Sequence, residues 1–113
     1  MSKHEDAVRL RHMLDAVAKA KAFVAGRTRA DLDQDEQLTL ALVRLLEIIG
    51  EAAKQVSEDT RKLQPDIPWA NIMATRNRLI HGYFDVDLDI VWEIVTADLP
   101  ALAKVLQGVV SAE

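Results

Sequence analysis

Residues 38–56 limit most strongly how this chain can fold. The segment carries apolar side chains around much of a helical circumference, including Leu38, Leu40, Leu42, Leu45, Leu46, Ile48, Ile49, Ala52, Ala53 and Val56. A helix that is apolar on nearly every side cannot bury all of that surface against one neighbour. The segment therefore predicts the central helix of a bundle.

Helical spacing on both sides supplies neighbours for this central helix. Residues 4–25 repeat apolar side chains at a mostly helical period and end at Gly26, and a last helical pattern covers residues 91–109. Pro100 lies inside that last pattern, so we expect a kink near it. We predict an all-α, up-and-down bundle of about four to five helices, formed by a single domain over residues 1–113.

Short polar stretches mark where the helices begin. Asp31 or Asp33 can cap the central helix, with Glu36 three residues after Asp33 in the manner of a capping box. Either Asp87 or Asp89 can cap the last helix.

Further along, Ser57 either starts a short helical turn or lies in an extension of the central helix. The prolines at 65 and 68 form the clearest break, and Pro68 suits the first turn of a helix over residues 69–80 that Gly82 ends. Gly50 either allows close helix approach or is simply tolerated within its helix.

The absence of cysteine excludes disulfides, thiolate catalysis and Cys-ligated zinc or iron–sulfur sites. The first six residues include Lys3, Glu5 and Asp6 and lead into an amphipathic pattern, so we expect no signal peptide. We see no apolar run close to the roughly 20 residues that cross a bilayer. We therefore expect a cytoplasmic protein without a membrane segment.

Charge is segregated along the chain, whose net charge is −4. Residues 1–30 carry 7 basic and 3 acidic groups (+4), and residues 61–84 carry 4 and 1 (+3). Residues 31–60 carry 2 and 8 (−6), and residues 85–113 carry 1 and 6 (−5). A basic surface for phosphate forms if the first helix packs beside the helix over 69–80.

The side chains that suggest a reaction lie together in the stretch Arg76-Asn77-Arg78-Leu79-Ile80-His81-Gly82-Tyr83. Arg76 presents a planar fork of donors that matches phosphate oxygens, while His81 titrates near neutral pH. Positions five apart on an ideal helix lie about 140° apart, so Arg76 and His81 do not share a face, whereas Asn77 and His81 do. A joint site needs the long side chain of Arg76, a frayed helix end or a second chain, and we favour a second chain.

Each of these side chains has a simpler explanation as well. Arg76 and His81 taken alone are also explained as an ion-paired cation and a polar histidine at a helix end. Asn77 either orients His81 from one turn below or is solvated. Arg78 points elsewhere on the helix and contacts either phosphate or a surface carboxylate.

The order Arg76, Asn77, three residues, His81, Gly82, Tyr83 resembles the signature Arg-polar-x-x-x-His-x-Tyr of HEPN-domain ribonucleases, specifically the HepT-like toxins. The resemblance covers roughly residues 5–105. Two further blocks precede the motif, at 46–54 and 65–69, and two follow it, at 89–92 and 98–100, in the order and spacing of the family. It implies a HEPN-like helical fold.

The resemblance implies a metal-independent endoribonuclease, the toxin of a type VII-like toxin–antitoxin pair. The RNA, a tRNA or an mRNA, is expected to be cleaved by its own 2′-hydroxyl, with His81 as general base or acid and Arg76 neutralising the charge that develops on the phosphorane. The resemblance also implies a homodimer with its cleft between the protomers. The second protomer then supplies the second histidine.

Tyr83 is implied to be a modification site. In HepT-like systems a minimal nucleotidyltransferase antitoxin of the MntA type adds AMP to the tyrosine of this motif. A bulky anion there blocks the cleft and occupies the arginine that RNA needs, by the same electrostatics as phosphorylation. The alternatives are that the Tyr83 ring stacks on an unpaired base, or that it anchors at the rim of the bundle.

Carboxylates elsewhere do not predict a metal site. Residues 85–89 begin like a calcium loop, but Ile90 and Thr96 stand where such a loop needs Gly and Glu. Glu47 and Glu51 lie four apart and are better explained by solvation or ion pairs than by a metal. We therefore expect no cofactor and no metal.

Two further hypotheses follow from the same residues. The chain is alternatively a catalytically silent helical module that binds a nucleotidyltransferase or nucleic acid and uses the motif for recognition alone. The other hypothesis is that the chain is a purely structural dimerisation bundle.

Overall fold

The computed structural model describes residues 3–79 and 85–112, with side chains from residue 4 onward. Within those ranges the chain is helical and forms no strand, which confirms the all-α prediction. The elements are α1 (Lys3–Val24), α2 (Asp31–Gln34), α3 (Glu36–Gln55), α4 (Glu58–Leu63), α5 (Trp69–Met73), α6 (Thr75–Leu79), α7 (Leu88–Glu93), a π turn (Ile94–Asp98) and α8 (Leu99–Ser111).

The central helix is α3, as its sequence predicts. It packs against α1, α2, α5, α6 and α7, while α1 also packs along α8. Its buried residues cover about half of the helix circumference: Leu38, Leu42, Val43, Leu45, Leu46, Ile49, Gly50, Ala52 and Ala53. Leu40 is the exception, because 61% of it is exposed.

The prediction that Asp31 or Asp33 caps the central helix is wrong. The first helical turn after the loop is α2, and Asp31 accepts a hydrogen bond from the backbone N–H of Thr28 at 2.7 Å. The extended residue that an N-cap requires is Asp35, with φ −119° and ψ 92°, and its carboxylate accepts the N–H of Leu38 at 3.1 Å. Because Asp31 and Asp33 belong to the separate turn α2, the cap of α3 lies after that turn, at Asp35.

The other boundary residues behave as expected. Gly26 follows α1 with φ +74°, in the left-handed region that favours glycine. Of the two candidates, Asp87 caps α7, accepting the N–H groups of Asp89 and Ile90 at 3.1 and 3.2 Å. Ser57 caps a separate short helix, α4, and so does not extend α3.

The single helix predicted over residues 69–80 is interrupted at Ala74, where φ is −90° and ψ is 0°. The hydroxyl of Thr75 donates back to the carbonyl of Asn71 at 3.1 Å, a side-chain bond that bends helices. The interruption is slight, because the Arg78 N–H still donates to the Ala74 carbonyl at 3.1 Å. The predicted end of this helix, at residues 80–82, lies outside the described residues.

Gly50 allows α3 and α5 to approach closely, the first of the two alternatives for this glycine. A Cβ atom placed on Gly50 lies 3.1 Å from the backbone carbonyl oxygen of Ile72. That separation is tighter than ordinary van der Waals contact, so α5 rests where a larger residue cannot be accommodated without displacement.

The last helical run is irregular next to Pro100. Leu99 donates its N–H to the carbonyl of Ile94, five residues earlier, so the turn before Pro100 is π-helical. Proline cannot donate the next bond of the ladder and its ring needs room at the preceding turn, which explains why the irregularity lies there. The kink expected near Pro100 stays a prediction.

The run Leu88–Ser111 is 24 residues long and, by length and composition alone, apolar enough to cross a membrane. This corrects the sequence-based expectation that no apolar run approaches that length. Its apolar face packs in the core through Val91, Ile94, Val95, Leu99, Leu102, Ala103 and Leu106. The run is therefore a core helix in this fold.

Asp6 joins the start of α1 to the start of α4. Its carboxylate is 3% exposed and accepts the Ser57 N–H at 3.0 Å, the Ser57 hydroxyl at 2.6 Å and the Thr60 hydroxyl at 2.5 Å. Burial raises the pKa of Asp6, but the hydrogen bonds from Ser57 and Thr60 outweigh it, so the pKa lies below its ordinary value. This buried carboxylate therefore fixes α4 onto the bundle.

Candidate nucleic-acid interface

The motif begins on α6, which carries Arg76, Asn77 and Arg78. His81 and Tyr83 lie outside the described residues, so their roles stay predictions. The structure thus locates the cations of the motif and the elements that hold them.

Helices α5 and α6 turn one stripe of side chains into the core, namely Ile72, Thr75 and Leu79. Positions 76 and 78 lie about 200° apart on a helix, so the two arginines point to opposite sides of that stripe. One side, here called the motif flank, comprises Trp69, Met73 and Arg76. The other, the cavity flank, comprises Asn71 and Arg78, which together with Ile72 and Thr75 of the stripe line one cavity that no motif-flank residue reaches.

Arg76 and Asn77 are exposed to solvent. Within residues 3–79 and 85–112, the Arg76 guanidinium forms neither an ion pair nor a hydrogen bond. The explanation of Arg76 as an ion-paired helix cation therefore finds no partner in this part of the chain. An arginine in this state keeps all five N–H donors for a ligand.

The short helix α4 covers the motif flank through two side-chain contacts. Arg61 brings Nη1 to 3.5 Å from the Met73 sulfur, and the Trp69 indole N–H donates to the Gln64 carbonyl at 3.0 Å. The Nε atom of Arg61 is buried and, among the described residues, has no hydrogen-bond partner. Arg61 is not among the site residues that the sequence motif predicts. The sequence feature that includes it is the net charge of +3 over residues 61–84.

The cavity on the opposite flank has a volume of about 300 Å³. Its wall is mainly apolar and includes Leu46, Ile49, Ile72, Ile94, Leu99 and Leu102. Arg78 lines it together with Asp66 and Asp98, and no ion pair joins Arg78 to either carboxylate in the described chain. One cation against two carboxylates makes this rim negative, which disfavours a phosphate there.

The first helix does not extend the basic surface toward the motif. Helix α1 packs chiefly on α3 and α8, whereas α5 and α6 pack on α3. A joint basic surface requires α1 to pack beside α5 and α6, and the main packing contacts do not join these helices. Arg27 pairs with Asp35 at 2.8 Å, and Arg29 pairs with Asp89 at 2.7 Å. The positive surface beside the motif is therefore the one that α4 and α6 provide.

Three of the carboxylates considered for a metal site have structural partners, namely Glu51, Asp87 and Asp89. Glu51 lies 4.0 Å from Arg44 in an exposed ion pair, which favours the ion-pair explanation of that residue over a metal site. Asp87 caps α7 and Asp89 pairs with Arg29, so both carboxylates take part in structural contacts. The described residues contain no group of three or more His, Asp or Glu side chains that could hold a metal ion, and the expectation of a metal-free protein stays a prediction.

Comparison with known proteins gives one family. A family model described as ribonuclease HepT-like matches residues 13–109. A protein of Thermococcus cleftensis named as a probable ribonuclease HepT is 39% identical over 93 residues, 79% of this chain and 84% of the relative. A protein of Caldanaerobacter subterraneus subsp. tengcongensis named as a candidate RNase is 36% identical over 104 residues, 92% of this chain and 93% of the relative. A protein of Methanocaldococcus jannaschii, also named as a candidate RNase, is 33% identical over 104 residues, 92% of this chain and 95% of the relative. No solved structure matches the chain significantly.

Proposed function

Because this chain belongs to the HepT-like ribonuclease family, we propose that it is a metal-independent endoribonuclease whose site combines Arg76 and His81. The main structural support is the state of Arg76, which is exposed on α6 and has no ion pair in the described chain. A guanidinium without a carboxylate partner is free to bind the phosphate of RNA bidentately.

The proposed reaction needs no group outside the protein and the RNA. One imidazole removes the proton of the 2′-hydroxyl, and the 2′-oxygen attacks the adjacent phosphorus. The bond from phosphorus to the 5′-oxygen breaks, a second imidazole protonates that oxygen, and a 2′,3′-cyclic phosphate remains. Arg76 stabilises the negative charge that grows on the phosphorane, as preorganised donors do at other anionic transition states.

The two proton transfers are the reason to propose a homodimer. His81 is the single histidine of the motif, while His4 and His12 both lie on α1. A second protomer placed symmetrically along the motif supplies the second imidazole, and also a second Arg76. The cleft between protomers is then the place where RNA binds.

Regulation through Tyr83 completes the proposal. The chain acts as the toxin of a toxin–antitoxin pair, and an MntA-like nucleotidyltransferase neutralises it by adding AMP to Tyr83. The added phosphate competes with RNA for the arginines of the motif. Intact-mass measurement after incubation with that partner and ATP tests this step, and an unchanged mass counts against it.

Cleavage of RNA in the presence of EDTA tests the enzymatic proposal. Wild-type protein should cut a defined RNA to a product ending in a cyclic phosphate, and Arg76→Ala and His81→Ala should each lose the activity. Circular dichroism should show equal helicity in all three proteins. If wild type and variants leave the RNA equally intact, the non-catalytic binding module replaces the enzyme.

A further inference from the structure

Arg61 occupies an unusual position for an arginine of a small helical domain. It lies on α4, which is only six residues long, and its guanidinium reaches across to α5, where Nη1 lies 3.5 Å from the Met73 sulfur. Its Nε is buried without a hydrogen-bond partner in the described chain. A thioether is a weak acceptor, so the charge of Arg61 is not compensated at this contact.

The contact with Met73 places Arg61 on the motif flank. Met73 and Arg76 are three residues apart, and such positions are neighbours on a helix surface. Arg61 therefore lies against the same side of α5 and α6 as Arg76, away from the negative rim of the cavity.

No carboxylate in the described chain neutralises either arginine. Glu58 and Asp59 lie within one turn of Arg61, yet no ion pair forms between them. Asp66 is the single acidic residue between 61 and 84, and it lines the cavity on the opposite flank. The motif flank therefore presents two cations without compensating anions.

The orientation of Arg61 is set by the bundle. A helix of six residues is not stable alone. Helix α4 is held at its first turn by the buried carboxylate of Asp6, and just past its last turn by the bond from Trp69 to the Gln64 carbonyl. The guanidinium is thus preorganised before any ligand arrives, which lowers the entropic cost of binding.

We propose that Arg61 binds a non-scissile phosphate of the RNA, so that α4 and α6 together form a two-arginine track on the motif flank. The inference rests on the proposed ribonuclease function. Arg76 acts at the phosphate that is cut, while Arg61 holds the strand and takes no part in proton transfer. A bound phosphate would also supply the anionic partner that the Arg61 guanidinium lacks in the described chain.

Salt dependence of RNA binding tests this assignment directly. The measurement uses a single-stranded RNA and the full chain carrying His81→Ala, so that the RNA is not cut. Adding Arg61→Gln should weaken binding roughly tenfold at low salt and reduce the slope of log K against log[salt] by about 0.7, the contribution of one phosphate contact to a single strand. Lys62→Gln is the matched control, since Lys62 is the neighbouring exposed cation on α4, and it should leave the slope unchanged.

Steady-state cleavage separates binding from a structural role. In otherwise wild-type protein, Arg61→Gln should raise KM several-fold with kcat within about twofold, because the contact is made equally in the ground and transition states. A salt slope equal to that of the parent overturns the assignment, whatever happens to the melting temperature. Absence of cleavage by wild type instead overturns the proposed function, and the binding slope still decides the role of Arg61.

Discussion

The arginines of the loop before α3 and of α3 itself differ in electrostatic state from the arginines of α4 and α6. Before and along α3, Arg27, Arg29 and Arg44 each lie within 4.0 Å of a carboxylate. On α4 and α6, Arg61, Arg76 and Arg78 form no ion pair within the described chain. Arg27 and Arg29 connect their loop to α2, to the cap of α3 and to α7, whereas Arg61 and Arg76 remain available for an anion.

Segregation of charge in the sequence is the cause of this difference. Residues 31–60 hold 8 acidic groups, whereas residues 61–84 hold one. Arg27, Arg29 and Arg44 each pair with a carboxylate of the first segment, whereas no carboxylate of the described chain pairs with the arginines of the second. An arginine without a carboxylate partner costs the protein little at an exposed position, and its donors stay available to a phosphate.

The largest expected effect separates the two groups of arginines by activity. Arg76→Ala should lower kcat for RNA cleavage by about 10²–10³-fold, the usual loss when a preorganised donor to an anionic transition state is removed. Arg44→Ala, which breaks an exposed ion pair, should leave cleavage unchanged. Equal losses in both variants would remove the distinction between structural and ligand-binding arginines.

The next largest effect concerns the hydrogen bonds that join Asp6 on α1 to the start of α4. Asp6→Ala should lower the free energy of unfolding by about 2–3 kcal/mol, because Ser57 and Thr60 lose their buried acceptor. Asp15→Ala, at an exposed position on the same helix, should change it by less than about 0.5 kcal/mol. Chemical denaturation measures both, and similar values would show that α4 is held by other contacts.

Acid should reveal the same link in the unmodified protein. The pKa of Asp6 is lower in the folded state, so its stabilising contribution is present above the ordinary aspartate pKa of about 4 and is lost as pH falls through the folded value. The difference in unfolding free energy between wild type and Asp6→Asn should therefore shrink below about pH 4. A difference that stays constant down to pH 2 would contradict the charged carboxylate as the source of stability.

The smallest effect is expected where α3 meets α5. Gly50→Ala should lower the free energy of unfolding by about 1 kcal/mol, because the new methyl group presses on the Ile72 carbonyl and outweighs the better helix propensity of alanine. Gly108→Ala, which meets no atom within 4 Å on α8, should instead raise it by about 0.5–1 kcal/mol. The signs of the two changes, read from melting curves, decide whether the close approach limits residue 50.

Local sequence patterns were sufficient for the class of fold and for its main axis. Apolar residues around much of the circumference over residues 38–56 predicted a central helix, and α3 is that helix. Gly26 and the prolines at 65 and 68 marked breaks, because backbone dihedrals at such residues depend mainly on the residue itself and its immediate neighbours. The order of residues in the motif was likewise enough to point to the family.

Contacts between distant residues required the tertiary structure. The carboxylate of Asp6 meets Ser57 across 51 positions of the chain, which no local pattern predicts. The same holds for the cavity that Arg78 lines and for the contact of Arg61 with Met73. Sequence alone determined that this is a helical protein with a cationic motif; packing decided which cations share a surface, because that depends on which helices are brought together by burial of apolar side chains.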